Sequence, residues 1–497
     1  MRIVLSAIVV LALHAAGMQA QPASLAIVGA TVIDGSGGAP LTNAVVVITG
    51  NRIAAVGPRG STTVPGGAQT IDAAGAFVVP GFVDTNVHLS LYGGMNDRYE
   101  TLVRYHDRQQ DIVLEAAQAQ LAYGITTVRD SYGMLRPLVA VRDRIAAGAA
   151  VGPRILAAGN IVGWSGPYSI SFSLTRANGL TLFQEQMNDE IAQGAGEELM
   201  GMTPPQLAKA IDAYLDKGPD FIKYGGTSHF AEPTFIGFSP DAQRVIVERA
   251  HARGKIAETH STSPEGLRLS IDAGIDGIQH PEVVDGADLS DDIVNRIRDK
   301  QIICSMLVNT MTGEAWEKHL KDRADTEKKQ AEADKKTSRA RTSFEERQRA
   351  NELGVGLEVR RRNAQKLIKA GVLVTVGTDN YWAAASELSR TAKPQNQDHG
   401  IGSIIGIEGL VELGMTPSQA IVAATKNGAI ASRGLAEFGT LEAGKRADLI
   451  VLSANPLADI HNIRKIAHLI KDGRLIDRAT LPQKRILSQA VAAGRSH

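Results

Sequence analysis

The sequence predicts an α/β protein, a (β/α)8 barrel with a small β-sandwich formed by both chain ends. Three observations predict it. Between residues 80 and 430, eight strand-like apolar runs alternate with helix-compatible segments, the signature of βαβ units around a parallel sheet. On both flanks lie short strands and glycine-rich turns with no helix between them, and these cannot begin a barrel. Six polar residues fall on or near the C-terminal ends of the central runs, where parallel barrels keep their active sites.

Composition narrows the function classes. At 497 residues the chain exceeds one typical domain, and a barrel with a satellite domain accounts for it. Lys+Arg and Asp+Glu both number 53, so no charge surplus argues for nucleic acid or for an acidic tail. A hydrophobic content of 43% is enough for a sizeable core. The single cysteine, Cys304, leaves no internal disulfide and no thiolate zinc cluster, and is expected to be a small buried strand residue.

Taken in order, Arg2, the apolar run Ile3 to Ala16 and the small or polar Gly17-Met18-Gln19-Ala20-Gln21-Pro22 read as a signal peptide over residues 1–20. The run is too short for a good membrane span, so an exported protein, periplasmic or secreted, with no stable membrane insertion after processing is expected. Residues 25–79 supply strands such as Leu25–Ile33, Ala44–Ile48 and Arg52–Val56, the N-terminal part of the sandwich. Residues 431–480 complete it with Gly439–Leu452, Ile466–Ile470 and Gly473–Ile476.

The barrel strands are expected at Phe82–His88, Ile125–Asp130, Arg154–Ala158, Phe221–Tyr224, Lys255–His260, Gly277–His280, Ile302–Leu307 and Val372–Asp379. Asp111–Tyr123, Thr203–Asp216 and Asp241–Arg253 have helical periodicity between them. Two segments read as insertions. Asn160–Gly196, with Trp164 and Tyr168, is a long loop suited to roof the mouth. Glu314–Arg362 is heavily charged and should form helices with a solvated surface, placed to act as a lid or subunit contact.

The chemistry starts at Val79-Pro80-Gly81-Phe82-Val83-Asp84-Thr85-Asn86-Val87-His88. Residues i and i+2 of a strand face the same way, so Asn86 and His88 reach one point in space. Lys223, His260, His280 and Asp379 end later strands. Each has a bland reading alone: His260 as a satisfied core histidine, Lys223 as the partner of a carboxylate. Together they resemble the amidohydrolase superfamily, whose first signature reads PG-x-[IV]-D-x-H-x-H. The superfamily order is a strand-one pair, a strand-four lysine, strand-five and strand-six histidines, and an aspartate in a Gly-Thr-Asp context on strand eight. Gly439-Thr440-Leu441, Gly444-Lys445 and Ala447-Asp448-Leu449 match one of its C-terminal marks. Asn86 departs from the pattern, and an Asn-x-His pair is similar to the branch of phenylurea and molinate hydrolases.

The resemblance implies a metal centre held by Asn86, His88, Lys223, His260, His280 and Asp379, with Lys223 carboxylated on its amine in many relatives. Imidazole and carboxylate ligands suit Zn²⁺, and Co²⁺, Mn²⁺ or Fe²⁺ are accepted by the same donors. An amide oxygen is a weaker ligand than imidazole, so one ion rather than two is expected, as that branch implies. Metal-activated water would attack a carbonyl, with Asp379 moving its proton and a histidine not held by metal, from His260 and His280, stabilising the oxyanion. Tyr224, His229, Trp382 and His399 follow strands four and eight and are candidates for substrate contact. The expected activity is hydrolysis of a C–N bond in an amide, carbamate, urea or N-acyl amino acid by a homo-oligomer acting on small molecules. A prolidase-like dipeptidase or an imidazolonepropionase-type cyclic-amide hydrolase is the alternative, and a metal-poor binding protein is the alternative from another class.

Overall fold

The structure, a computed structural model, describes residues 24–91, 98–171, 179–229, 234–284, 286–335, 340–382 and 394–488. The expected signal peptide lies outside them. The N-terminal strands are β1 (Ser24–Val32), β2 (Leu41–Thr49), β3 (Arg52–Pro58), β4 (Gln69–Asp72) and β5 (Phe77–Pro80). The central strands follow: β6 (Phe82–Val87), β7 (Ile125–Asp130), β8 (Arg154–Ala157), β9 (Ile161–Val162), β10 (Ile222–Gly225), β11 (Ala257–His260), β12 (Gly277–Gln279), β13 (Ile303–Met306) and β14 (Leu373–Val376). The C-terminal strands are β15 (Leu449–Leu452), β16 (Ile466–Lys471) and β17 (Arg474–Ile476).

Both chain ends do build one unit, but its hydrogen bonding differs from the two sheets of a sandwich. It is one eight-stranded sheet in the order β17-β16-β15-β5-β1-β2-β3, with β4 paired to β1. The C-terminal β15 inserts antiparallel beside β5, Leu449 opposite Pro80 and Leu452 opposite Phe77. Ile27, Val46, Ile48, Ile53, Leu449 and Val451 give this sheet a small core of its own.

The central strands are all parallel and hydrogen-bond in two sets, β6-β7-β8 and β9 through β14. This is the α/β architecture of a TIM barrel. The expected third strand is interrupted after Ala157. Gly159 turns the chain in a left-handed conformation, and the Asn160 side chain donates to the carbonyls of Trp164 and Ala195, so the pairing passes from β8 to β9. Between the ends of β6 and β14 the ladder is a single parallel bridge, Val87 to Asn380. Side chains nonetheless join the two sets across the interior. Thr85 Oγ1 of β6 meets Ser305 Oγ of β13 at 2.7 Å and Thr375 Oγ1 of β14 at 2.8 Å. Arg129 of β7 pairs with Glu258 of β11 at 2.5 Å, both buried.

The expected helices form at Gln109–Ala122, Pro204–Leu215 and Pro240–Ala252. Thr203 and Gln206 close a reciprocal cap on the second, and Ser239 caps the third ahead of Pro240, which is suited to a first turn. The charged insertion forms helices Gly313–Asp334, Ser343–Glu352 and Val355–Ala370, and the first two are mostly exposed. Cys304 is fully buried in β13, as expected. Among the described residues no helix is long and apolar enough to cross a membrane.

Candidate active site

The site begins with an irregularity in β6. Its pairing with β7 slips between Asp84 and Val87, a bulge of the kind that re-aims side chains beside functional sites. Asp84 serves the strand from behind: its carboxylate accepts from Thr378 Oγ1 at 2.5 Å, Ser403 Oγ at 2.6 Å and the Asn86 backbone N–H at 3.1 Å. Backbone bonds then fasten strand one to strand eight. Asp379 N donates to Asn86 O, and His88 N to Asn380 O, each at 2.8 Å. Gly377 permits this approach, because a Cβ there would lie 3.0 Å from Asn86 Cβ and 2.0 Å from Ser305 Oγ of β13.

Two pairs of functional side chains result. In the first, Asp379 Oδ1 lies 2.8 Å from both Asn86 Nδ2 and His88 Nε2, while His88 Nδ1 faces the Tyr132 carbonyl at 3.1 Å. Burial by itself would raise the Asp379 carboxyl. His88 as charge and donor, with His280 and Lys223, instead holds it well below the usual carboxylate range. Its side chain keeps 29% of its surface open while His88 keeps 9%, so the carboxylate is the accessible member.

In the second pair, His260 Nδ1 and His280 Nε2 face each other at 3.0 Å. Burial lowers both rings, His280 to about 3 and His260 well below the ordinary imidazole value, so both stay neutral; one facing nitrogen donates the shared proton, the other accepts it, and a metal would take the proton's place. Two ligands about 2.05 Å from a tetrahedral ion are about 3.3 Å apart, so these facing nitrogens have nearly the spacing a metal imposes. His260 Nε2 and His280 Nδ1 are buried without a hydrogen-bond partner. Trp164 packs edge-on against His260 at 4.8 Å, and His229 stacks on it at 5.7 Å. Both His280 and Asp379 hold left-handed backbone conformations, φ 42° and 56°, a strain that clusters at functional positions.

Lys223 completes the constellation from β10. It is 2% exposed and its amine is lowered by burial, which Asp379, Glu258 and Asp130 only partly oppose. Its Nζ reaches Ser131 Oγ at 3.4 Å. Among the described residues no three His, Cys, Asp or Glu side chains converge as a ready ligand cluster. The donors stand instead as the two pairs, with lysine and asparagine beside them. This set fits a divalent ion, with the neutral, inward-facing nitrogens of His260 and His280 as its first ligands.

The candidate substrate contacts divide. His229 lies against His260. Tyr224 does not reach the mouth: one position along from Lys223, it points to the opposite face, where its hydroxyl meets Gln243 at 3.0 Å and its ring packs on Phe238. Its role is corrected to packing. Trp382 and His399 pack edge-on at 4.9 Å, and Gln120 and Ser403 link His399 towards Asp84. His399 is buried at 3% exposure and supports the strand-one loop from behind.

Sequence reasoning missed Ser131, Tyr132 and Arg360. Ser131 and Tyr132 directly follow β7, and their place just past a strand end was the available signal. Arg360 had none, standing in a run of charges. Its guanidinium is turned inward, donates to Thr310 Oγ1 at 3.2 Å and is lowered by burial, with Glu282 and Asp379 opposing.

Comparison with known proteins agrees with this geometry. The structure is similar to that of molinate hydrolase, at 30% identity and a TM-score of 0.81, covering 96% of this chain and 98% of the other. It is also similar to phenylurea hydrolase B, at 29% identity and a TM-score of 0.82, covering 94% and 99%. In sequence it is 25% identical to ochratoxinase of Aspergillus niger, over 91% of this chain and 87% of the relative. Imidazolonepropionase of Anaeromyxobacter sp. (strain K) is 24% identical over 88% and 91%. Residues 77–476 match the amidohydrolase family. The chain therefore belongs to the amidohydrolase family and is a hydrolase of C–N bonds, in a family that generally uses a divalent metal.

Proposed function

We propose that the protein hydrolyses the C–N bond of an amide, carbamate, urea or N-acyl amino acid at a single divalent ion, zinc by the chemistry of the donors. The observation that carries this is the pair of neutral nitrogens, His260 Nδ1 and His280 Nε2, meeting at 3.0 Å beside an ionised Asp379. Bound there, a divalent ion would lower the pKa of a water from 15.7 towards about 7 and polarise the substrate carbonyl. Asp379 takes the proton of the attacking water and passes it to the leaving nitrogen. His88 and Asn86 hold its Oδ1, fixing which way the carboxylate faces. Lys223, whose amine burial makes easier to deprotonate, supplies either a nucleophilic amine for CO₂ capture, becoming a carboxylate ligand, or a cation beside the oxyanion. Trp164, His229 and Tyr132 form an aromatic wall that excludes water and takes the apolar side of the substrate.

The relatives' names differ in substrate, so the likeness supports the bond class and not one compound. A narrower reading is favoured by Arg360, a half-buried cation near Glu282, Asp379 and His280 with its Nε unpaired: substrates carrying a carboxylate, such as N-acyl amino acids. The test is a panel of anilides, ureas, carbamates and N-acyl amino acids, each acid paired with its neutral amide, assayed before and after chelation. Chelation-sensitive hydrolysis is expected. Equal rates on acid and amide would remove the narrower reading, and no chelation-sensitive turnover on any member would remove the broader one. We also propose a closed barrel with the terminal sheet as a separate domain, and export, for which the N-terminus of protein from the native host should lie near Gln21.

A further inference from the structure

Every polar atom of the Asn86 amide is committed. Its Nδ2 lies 2.8 Å from Asp379 Oδ1, and its Oδ1 is in close hydrogen-bond contact with Ser131 Oγ. The orientation follows from charge. Turned by half a rotation, the amide would set its oxygen against a carboxylate oxygen, two acceptors with no proton between them. Since the nitrogen faces Asp379, the oxygen faces Ser131, and the hydroxyl proton must go to it. The same hydroxyl oxygen then accepts from Lys223 Nζ at 3.4 Å. Donors thus run in one direction: Lys223 to Ser131, Ser131 to Asn86, Asn86 to Asp379. Ser131 is itself pinned, fully buried at the end of β7 with its backbone amide bonded to the Val87 carbonyl at 3.1 Å.

We propose that Ser131 is a positioning residue that locks the Asn86 amide as a donor to Asp379 and so keeps its oxygen from serving as a metal ligand. This rests on the metal-dependent reading above. An imidazole at position 86 would offer a lone pair to an ion beside His88; the locked amide offers that place an N–H instead. For its oxygen to reach a metal the amide must rotate, breaking both of its bonds at once. One hydroxyl therefore both limits the centre to the His260–His280 side and gives the proton-shuttling carboxylate its second donor. Asp379 Oδ1 receives both donors, from Asn86 and His88, which directs Oδ2 to the proton in transit.

The test uses the full-length mature protein, stripped of metal and titrated with Zn²⁺, in four forms: wild type, Ser131→Ala, Asn86→Ala and the double variant. Ions bound per chain and kcat and KM are read together, with Ser131→Cys as a near-isosteric variant that keeps the volume and loses a strong donor. Wild type is expected to bind one ion tightly. Ser131→Ala and Ser131→Cys should bind a second ion at least about tenfold more tightly than wild type does, and lose about 10- to 100-fold in kcat with KM little changed. In the Asn86→Ala background the serine substitution should alter neither quantity more than about twofold, because Ser131 acts through the amide. The proposal is overturned if Ser131→Cys or Ser131→Ala leaves second-ion affinity unchanged, or if the serine effect is as large without Asn86. Wild type that binds no ion at all contradicts the metal-dependent reading itself, a result separate from either of these.

Discussion

Asn86 Nδ2 and Asp379 Oδ1 are 2.8 Å apart although 293 positions separate them in the chain. The two residues also share a backbone bond, Asp379 N to Asn86 O, so the contact belongs to the meeting of strands one and eight and not to side-chain chance. Whatever moves strand eight moves the candidate proton carrier.

Asp379→Asn tests the proton-transfer role. It preserves shape but can no longer accept a proton from water, and it opposes an amide to the Asn86 nitrogen. kcat should fall by roughly two to four orders of magnitude, the range for a general acid–base. A loss below about threefold across the pH range would assign the proton transfer elsewhere.

His280 gives a stability prediction with a definite sign. Burial lowers its folded-state value from 6.5 to about 3, so the unfolded chain binds a proton on this ring that the folded chain refuses. Stability of the metal-free protein is therefore lost as pH falls below about 6.5, by about 2 kcal/mol at pH 5 from this ring. His280→Gln should flatten that acid slope. Asp84 and Glu282, raised to about 6 and about 7 by burial, act in the opposite sense and lose stability as pH rises through the same region. Comparing chemical denaturation of wild type and variant at pH 8 and pH 5 isolates the histidine. Equal slopes would show that the ring titrates normally in the fold.

The Arg129–Glu258 pair should matter to stability more than any exposed ion pair. Both side chains are 1% exposed, Arg129 also lies 4.0 Å over the Phe221 ring, and Gln279 donates to the other Glu258 oxygen at 2.5 Å. Glu258→Gln leaves the guanidinium buried without its countercharge, and should cost about 3–5 kcal/mol. Arg268→Ala, which removes the surface pairs to Glu265 and Asp272, should leave the midpoint almost unchanged, because solvent screens exposed pairs. Denaturant midpoints check both.

The barrel strands and the six strand-end residues were legible because they depend on local pattern: an apolar run, its length, and a polar residue at its end. The order of the terminal strands was not. Whether β15 lies beside β5 in one sheet or in a facing one is set by long-range pairing that no local pattern encodes. Strand three divided at Gly159 for a related reason, since the break is stabilised by Asn160 reaching the Ala195 carbonyl, 35 positions along the chain. Tyr224 stands at the end of strand four, but strand alternation turns its side chain away from the mouth to Gln243 and Phe238. Ser131 and Arg360 carry ordinary residue types in ordinary contexts, and only the folded arrangement shows what they face.

Metal analysis of freshly purified protein, with anomalous diffraction at the bound element's edge, tests the central claim most directly. One ion per chain is expected, with its density between His260 Nδ1 and His280 Nε2, and with the Asn86 amide still joined to Ser131 and Asp379. Two full ions with the Asn86 oxygen bound to one, or no ion beside His260 and His280, would contradict it.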